Sequence, residues 1–258
     1  MKKLNCFLFL CVLACLQVTS QAHAAILYGH GNYYNPHILY RIDTVVQSVT
    51  FFEPDPDRIG PDIEISPDNS TIYMSPTPYD IYWEPSDWLF LNDPTTGLTI
   101  GTTQLSGFPS FIDEYGEVQV TDSTTAMAFV GSTLYASFSK YGYGEHTRIL
   151  GTIDLSTGEI TEIGKMTGMN MMPTGGLEYV GGIMYAVSAG TGLSSLYTIN
   201  LDTGAATLVA PITLNDDQIR GATALAFADG KMYTLINRAA ELYSVDLITG
   251  VLTEEFNL

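Results

Sequence analysis

After Cys15 the chain contains no cysteine. Everything beyond that point can form no disulfide, offer no thiolate nucleophile and hold no metal through sulfur, so its stability must come from burial. Cations are also scarce: 10 Lys and Arg stand against 28 Asp and Glu, for a formal net charge of −18. A field of that sign repels nucleic-acid phosphates and anionic lipid and favours cations or neutral partners, which excludes nucleic acid as a partner. No apolar run beyond residue 24 is long enough to span a bilayer, so no transmembrane segment is expected. The sequence has no GxSxG elbow, no HExxH pair, no P-loop and no Rossmann glycine pattern. The usual signatures of nucleophilic and nucleotide-dependent catalysis are therefore missing.

What is present begins with an export signal. Lys2 and Lys3 form a charged start, Phe7 to Leu16 an apolar centre, and Ala22-His23-Ala24 an A-x-A cleavage site. Residues 1–24 are accordingly read as a signal peptide and 25–258 as a single domain, secreted or periplasmic. Val12-Leu13-Ala14-Cys15 offers a rival, a lipoprotein processing site that would leave a lipidated Cys15; Leu13 fits it poorly. The leader removes two lysines and no acid, so the remainder is more acidic still.

The domain repeats itself. An apolar residue followed by tyrosine recurs at Tyr28, Tyr73, Tyr135, Tyr185 and Tyr233, roughly 45–60 residues apart. Each is followed by a second short run (ILYRID, WLFLND, ILGTID, SLYTIN, ELYSVD), in four units by a turn ending in Thr-Gly (Gly97, Gly158, Gly204, Gly250), and then by a run such as EITEIG. Runs of four to eight residues rich in Tyr, Val, Ile and Thr, separated by Gly, Asp and Asn, predict strands and hairpins. Four strands per repeat at this period predict an all-β fold: a β-propeller of about five four-stranded antiparallel blades. The first unit starts at its second strand, so the first blade is expected to be incomplete unless GEVQV (116–120) supplies its inner strand. The repeat resembles the LY-x-ID-x-x-TG-x-x-T-x-IG blades of secreted bacterial propellers, akin to YVTN and quinoprotein-type repeats. That resemblance implies a fold and carries over no catalytic residue.

Residues that recur in register read as architecture. The five tyrosines are expected in the core, and Asp43, Asp154, Asp202 and Asp246 as turn formers whose side chains bond backbone two residues on. The loops are more informative. Those joining strands one to two and three to four are uniformly tight. Those joining two to three, and the connectors between blades, are long and variable. Elaboration confined to one face is how a rigid scaffold carries a binding surface.

The elaborated loops of blades one to three hold Tyr33, Tyr34, Tyr79, Tyr82, Trp83, Trp88, Tyr141 and Tyr143, with His30, His37 and His146. Flat aromatic faces with polar tips suit sugar rings, peptides or protein hot spots, and these residues are the candidate ligand-binding set. The same aromatics would also serve simply to pack long loops onto the blade tops. The histidines lack metal-ligand spacing, and Asp55-Pro56-Asp57 lacks the twelfth-position Glu of a calcium loop, so metal content and cofactor stay open. Glu64 and Glu178 match in first strands and are read as solvated channel residues. Met166, Met169, Met171 and Met172 read as a pliable plug over the axis. The expected function is recognition of a glycan, peptide or protein without catalysis. The alternative is a metal-dependent hydrolase or lactonase with a site in the central channel.

Overall fold

The computed structural model describes residues 26–30, 39–52, 62–75, 87–113, 115–140, 147–169, 174–188, 192–236 and 241–257. Among them are strands and turns and no helix. Blade one comprises β1 (Ile26–His30), β2 (Leu39–Asp43) and β3 (Ser48–Phe52), and blade two β4 (Asp62–Ile65), β5 (Ile72–Ser75), β6 (Trp88–Asn92) and β7 (Thr99–Gln104). A small hairpin, β8 (Ser110–Ile112) and β9 (Val118–Val120), precedes blade three: β10 (Ser123–Val130), β11 (Thr133–Ser139), β12 (Ile149–Ile153) and β13 (Ile160–Lys165). Blade four is β14 (Thr174–Val180), β15 (Ile183–Ser188), β16 (Ser195–Ile199) and β17 (Ala206–Pro211). A second small hairpin, β18 (Thr213–Leu214) and β19 (Asp217–Gln218), leads to blade five: β20 (Ala226–Ala228), β21 (Lys231–Leu235), β22 (Glu241–Val245) and β23 (Leu252–Asn257). Each blade is an antiparallel meander, giving a five-bladed propeller.

The ring closes. Inner strands touch in the order β4, β10, β14 and β20, and β1 touches both β20 and β4. Register shows why blade one has three strands. Tyr28 lies opposite Arg41 as Tyr73 lies opposite Leu91 and Tyr135 opposite Thr152, so β1 occupies second-strand register. GEVQV does not fill the missing place, since β9 pairs with β8 instead. The first blade is thus incomplete, and its second strand lines the ring.

Five apolar clusters fill the five seams. Leu89 and Leu105 of blade two meet Met127, Leu134 and Phe138 of blade three, and Leu27 and Ile42 of blade one meet Tyr233 and Leu242 of blade five. A single blade has too little apolar surface on either face to stand alone, and stacking supplies the cover. The repeated tyrosines each pack on the seam that leads to the next blade: Tyr28 toward two, Tyr73 toward three, Tyr135 toward four, Tyr185 toward five and Tyr233 toward one. Only Tyr233 is fully buried; the other four are half-buried. Tyr28 also spends its hydroxyl at the blade margin, donating to the Pro94 carbonyl at 3.1 Å. Met166 likewise belongs to the seam between blades three and four, with Met169 packed against it, and not to a plug on the axis.

The turns between third and fourth strands are built alike. Asp154 Oδ1 accepts from the Ser156 and Thr157 amides at 2.8 and 3.0 Å, and Asp43, Asp93 and Asp246 do the same. In blade four the acceptor is Asn200, at 2.9 and 3.0 Å, and Asp202 only donates an amide to it. At Asp93 and Asp246 the amide bonds first, and at Asp154 the Ser156 hydroxyl ahead of the amides, hold these carboxyls below the usual range. Gly158 then turns with φ 75°, and a Cβ there would strike the Gln104 carbonyl of the preceding blade. That proximity is used: Ser106 N donates to Gly158 O at 3.0 Å and Ile160 N to Ser106 O at 2.9 Å, stapling blade two to blade three.

Candidate functional site

In an antiparallel meander the first-to-second and third-to-fourth turns share one end, and the second-to-third loops and blade connectors share the other. The first end is all tight turns, among them Gly131-Ser132, Gly181-Gly182 and Asp229-Gly230. At the other end the strands terminate where the long segments begin and end: His30 and Leu39 in blade one, Ser75 and Trp88 in blade two, Ser139 and Ile149 in blade three. Of the candidate residues, Trp88 and the backbone of His30 are described. Tyr33, Tyr34, His37, Tyr79, Tyr82, Trp83, Tyr141, Tyr143 and His146 lie outside the described residues, as do Asp55, Asp57, Met171 and Met172.

Trp88 opens β6 at the elaborated end and is 41% exposed. Its position is fixed by pairing with Gln104, whose amide nitrogen donates to Asp87 Oδ2 at 2.8 Å, and by Leu105 N donating to the Asp87 carbonyl at 2.5 Å. An indole that keeps this much surface in water, on a strand whose next two residues are buried, is presented by its scaffold and not consumed by the core.

Beneath this end lies a layer of buried hydroxyls that the sequence did not signal. Ser75, Thr124, Ser137, Thr174, Ser188 and Thr234 are all essentially inaccessible. Ser137 and Thr174 bond across the seam between blades three and four at 3.1 Å, and Ser123 and Ser139 bond within blade three at 3.2 Å. Matching bulges, at Thr124/Ala126 and Thr174/Gly176, rotate these threonines inward. Only a bulge, invisible in composition, distinguishes them from ordinary strand threonines.

Two charged groups also sit where local sequence could not place them. Arg148, just before β12 at the elaborated end, is buried beside Tyr197. Burial brings its guanidinium down to about 10, against a smaller opposing effect from Tyr197. Glu178 in β14 is half-buried and accepts the Phe227 amide of blade five as well as the Tyr179 amide; desolvation outweighs these bonds and pushes its carboxyl up to about 7. Glu64, its equivalent in β4, accepts the Phe129 amide of blade three at 3.4 Å. Both carboxylates therefore tie an inner strand to the next blade, which corrects their reading as solvated channel residues.

Among the described residues no three His, Asp or Glu side chains converge as a metal site. A mostly polar groove of about 470 Å³ lies at the tight-turn end of blade three, lined by hydroxyls such as Ser132, Thr133 and Ser156 with Asp154, and by Ile153 and Leu155, away from Trp88. Among the described residues no helix is long and apolar enough to cross a membrane.

No protein-family model matches the chain, and no curated protein sequence does. Among solved structures it is similar to the glutaminyl cyclase of Myxococcus xanthus, at 15% identity and a TM-score of 0.49, over 74% of this chain and 67% of that one. The five-bladed fold described above rests on this chain's own strand pairing and seams.

Proposed function

We propose that this is an exported, non-enzymatic propeller that recognises a glycan, peptide or protein ligand through the long loops of blades one to three. The observation that carries the reading is the difference between the two ends, with Trp88 standing 41% exposed at the elaborated one. The candidate surface joins Trp88 with Tyr33, Tyr34, Tyr79, Tyr82, Trp83, Tyr141 and Tyr143, and with His30, His37 and His146 at its polar positions. Stacked aromatics supply affinity for flat apolar faces, while neighbouring carboxylates such as Asp87 accept from hydroxyls or amides. Export by the leader at residues 1–24 places such a surface where extracellular glycans and proteins are met.

Both tryptophans of the protein, Trp83 and Trp88, are assigned to this surface, so emission excited selectively at tryptophan, apart from the 16 tyrosines, is the signal to follow. A panel of oligosaccharides and of unstructured peptides should include members that shift that emission. Trp83→Ala or Trp88→Ala should weaken the hit about tenfold or more, equivalent to at least ~1.4 kcal/mol, with the unfolding midpoint retained. Unfolding of both variants would mean that the indoles only pack loops.

The alternative is a metal-dependent hydrolase or lactonase working in the central channel, for which Glu178, engaged by the Phe227 amide of blade five, is not a ready-made group. Metal analysis of purified protein and a chelator-sensitive ester and lactone screen test it. Metal-free, inert protein eliminates that reading.

A further inference from the structure

The connector between blades two and three folds into a hairpin whose polarity is inverted. Pairing of β8 with β9 sets Ile112 opposite Val118 and Ser110 opposite Val120, so these four share one face, with Phe111 and Gln119 on the other. Phe111 is turned inward and buried. Ile112, Val118 and Val120 are 66%, 68% and 50% exposed, and Tyr115 at the tip is 78% exposed. A two-stranded hairpin ordinarily turns its aliphatic side chains to the body of the protein, and a contiguous apolar face left in water marks an interaction site.

The equivalent connector two blades on supplies an internal control. The β18–β19 hairpin half-buries Leu214 and turns Asn215, Asp216 and Asp217 to solvent. The β18–β19 connector thus keeps a polar exterior that the β8–β9 hairpin lacks.

The apolar hairpin is also rigid. Asp113 Oδ1 accepts the Tyr115 and Glu117 amides at 3.0 and 2.9 Å, and Oδ2 accepts Gln119 Nε2 at 2.8 Å. At its base Thr121 donates to the Pro109 carbonyl through both its amide and its hydroxyl, at 2.8 and 2.9 Å. Lys140 Nζ, from the end of β11, donates to the Val120 carbonyl at 3.3 Å. A surface held this way loses little conformational freedom when it is covered.

Charge selects the occupant. Asp113 and Glu117 lie in the hairpin's own turn, and the chain as a whole carries −18. A second copy would bring the same sign to the contact, and an anionic bilayer would repel it. The geometry points to the outward face of the β8–β9 hairpin as a docking surface for a polypeptide partner that is apolar along one side and flanked by Lys or Arg. This rests on the binding role proposed above and adds to it a partner class and a second contact, separate from the aromatic loops.

The test uses dye-labelled peptides of about ten residues with alternating Lys-Val, Lys-Ser and Glu-Val sequences, followed by anisotropy against the full protein. The Lys-Val peptide should bind at least about tenfold tighter than either control. That preference should fall to within about twofold in the double variant Ile112→Ser/Val118→Ser, whose circular dichroism and melting should match wild type, and should survive in Trp88→Ala. Equal binding of Lys-Val and Lys-Ser overturns the proposal, because charge alone would then suffice. So does a dimer in sedimentation, or adsorption to phosphatidylcholine vesicles, that the double variant abolishes. Should Trp88→Ala remove the Lys-Val preference while the double variant keeps it, the hairpin is not the dock and the aromatic surface stands by itself.

Discussion

The two ends of the ring obey different rules. At the tight end, Asp93, Asp154, Asn200 and Asp246 each accept two backbone amides, and each is followed by a left-handed glycine. In blades three to five that glycine sits against the preceding blade. At the other end, Trp88 and Arg148 stand where the repeats place other residues, and the apolar face of the β8–β9 hairpin is not repeated by the β18–β19 hairpin. Repetition at one end fixes the scaffold, and that freed the other end to vary without risk to the fold. A residue's end therefore predicts whether its loss is felt as instability or as altered recognition.

The sharpest break of that rule would come at Gly158. Gly158→Val places a branched side chain at φ 75° and drives its Cβ into the Gln104 carbonyl, so we expect a loss of roughly 2–6 kcal/mol from backbone strain and overpacking together. Chemical denaturation should show it; a near-wild-type midpoint would mean the staple between blades two and three is dispensable. Glu178 provides the next largest effect, and one with a pH signature. Its carboxyl titrates near 4.5 in the unfolded chain and near 7 in the fold. Between those values the native state holds a proton the unfolded state has released, so stability falls as pH rises through that window, by on the order of 2–3 kcal/mol. Glu178→Gln keeps an acceptor for the Phe227 amide and should flatten that slope, leaving the variant the more stable protein at pH 8. An unchanged slope in urea unfolding at pH 5 and 8 would assign the pH dependence elsewhere.

At the elaborated end, Trp88→Ala should cost about 1 kcal/mol or less of stability while removing ligand response, because the indole already faces water. A collapse of the fold there would erase the distinction between the ends. Smallest of all is the ion pair of Lys231 with Glu255, bidentate at 2.7 and 2.8 Å on the solvent side of blade five. Lys231→Met should lose under about 1 kcal/mol, and less in high salt.

How far the sequence could be read follows from the range of each interaction. The turns were legible because they are local. Counting back four positions from Gly97, Gly158 and Gly250 reaches Asp93, Asp154 and Asp246, and the same count from Gly204 reaches Asn200 rather than Asp202. The blade order and the missing strand of blade one were legible because the repeats carry their own register. The tyrosines were expected in the core, and all five do pack on the seams, but four of them are only half-buried, since a pattern of apolar residues does not reveal how far a side chain reaches toward the blade margin. Glu178 and Arg148 escaped because their environments come from the next blade, and no local window contains the Phe227 amide that Glu178 meets; the buried hydroxyls escaped because bulges and strand ends set their facing. GEVQV was legible as a strand, but it was offered as the missing inner strand of blade one. Neither its pairing with β8 nor its exposed face could be read, because alternation states which residues share a side and not which strand they pair with or which side meets water.

One consequence of closure concerns the order of events during folding. Four of the seams join blades that are consecutive along the chain, but the fifth unites Leu27 and Ile42 with Tyr233 and Leu242, and Thr44 reaches Asp229 across 185 positions. Among the described residues blade one brings three strands to that junction, and no strand from one blade completes the sheet of the other. A ribosome must therefore deliver nearly the whole polypeptide before the circle can shut, and until then the Leu27–Ile42 surface waits uncovered for a partner that has not yet been made. The same junction, closed among the described residues by side chains, is where a pulled or heated ring should first come apart.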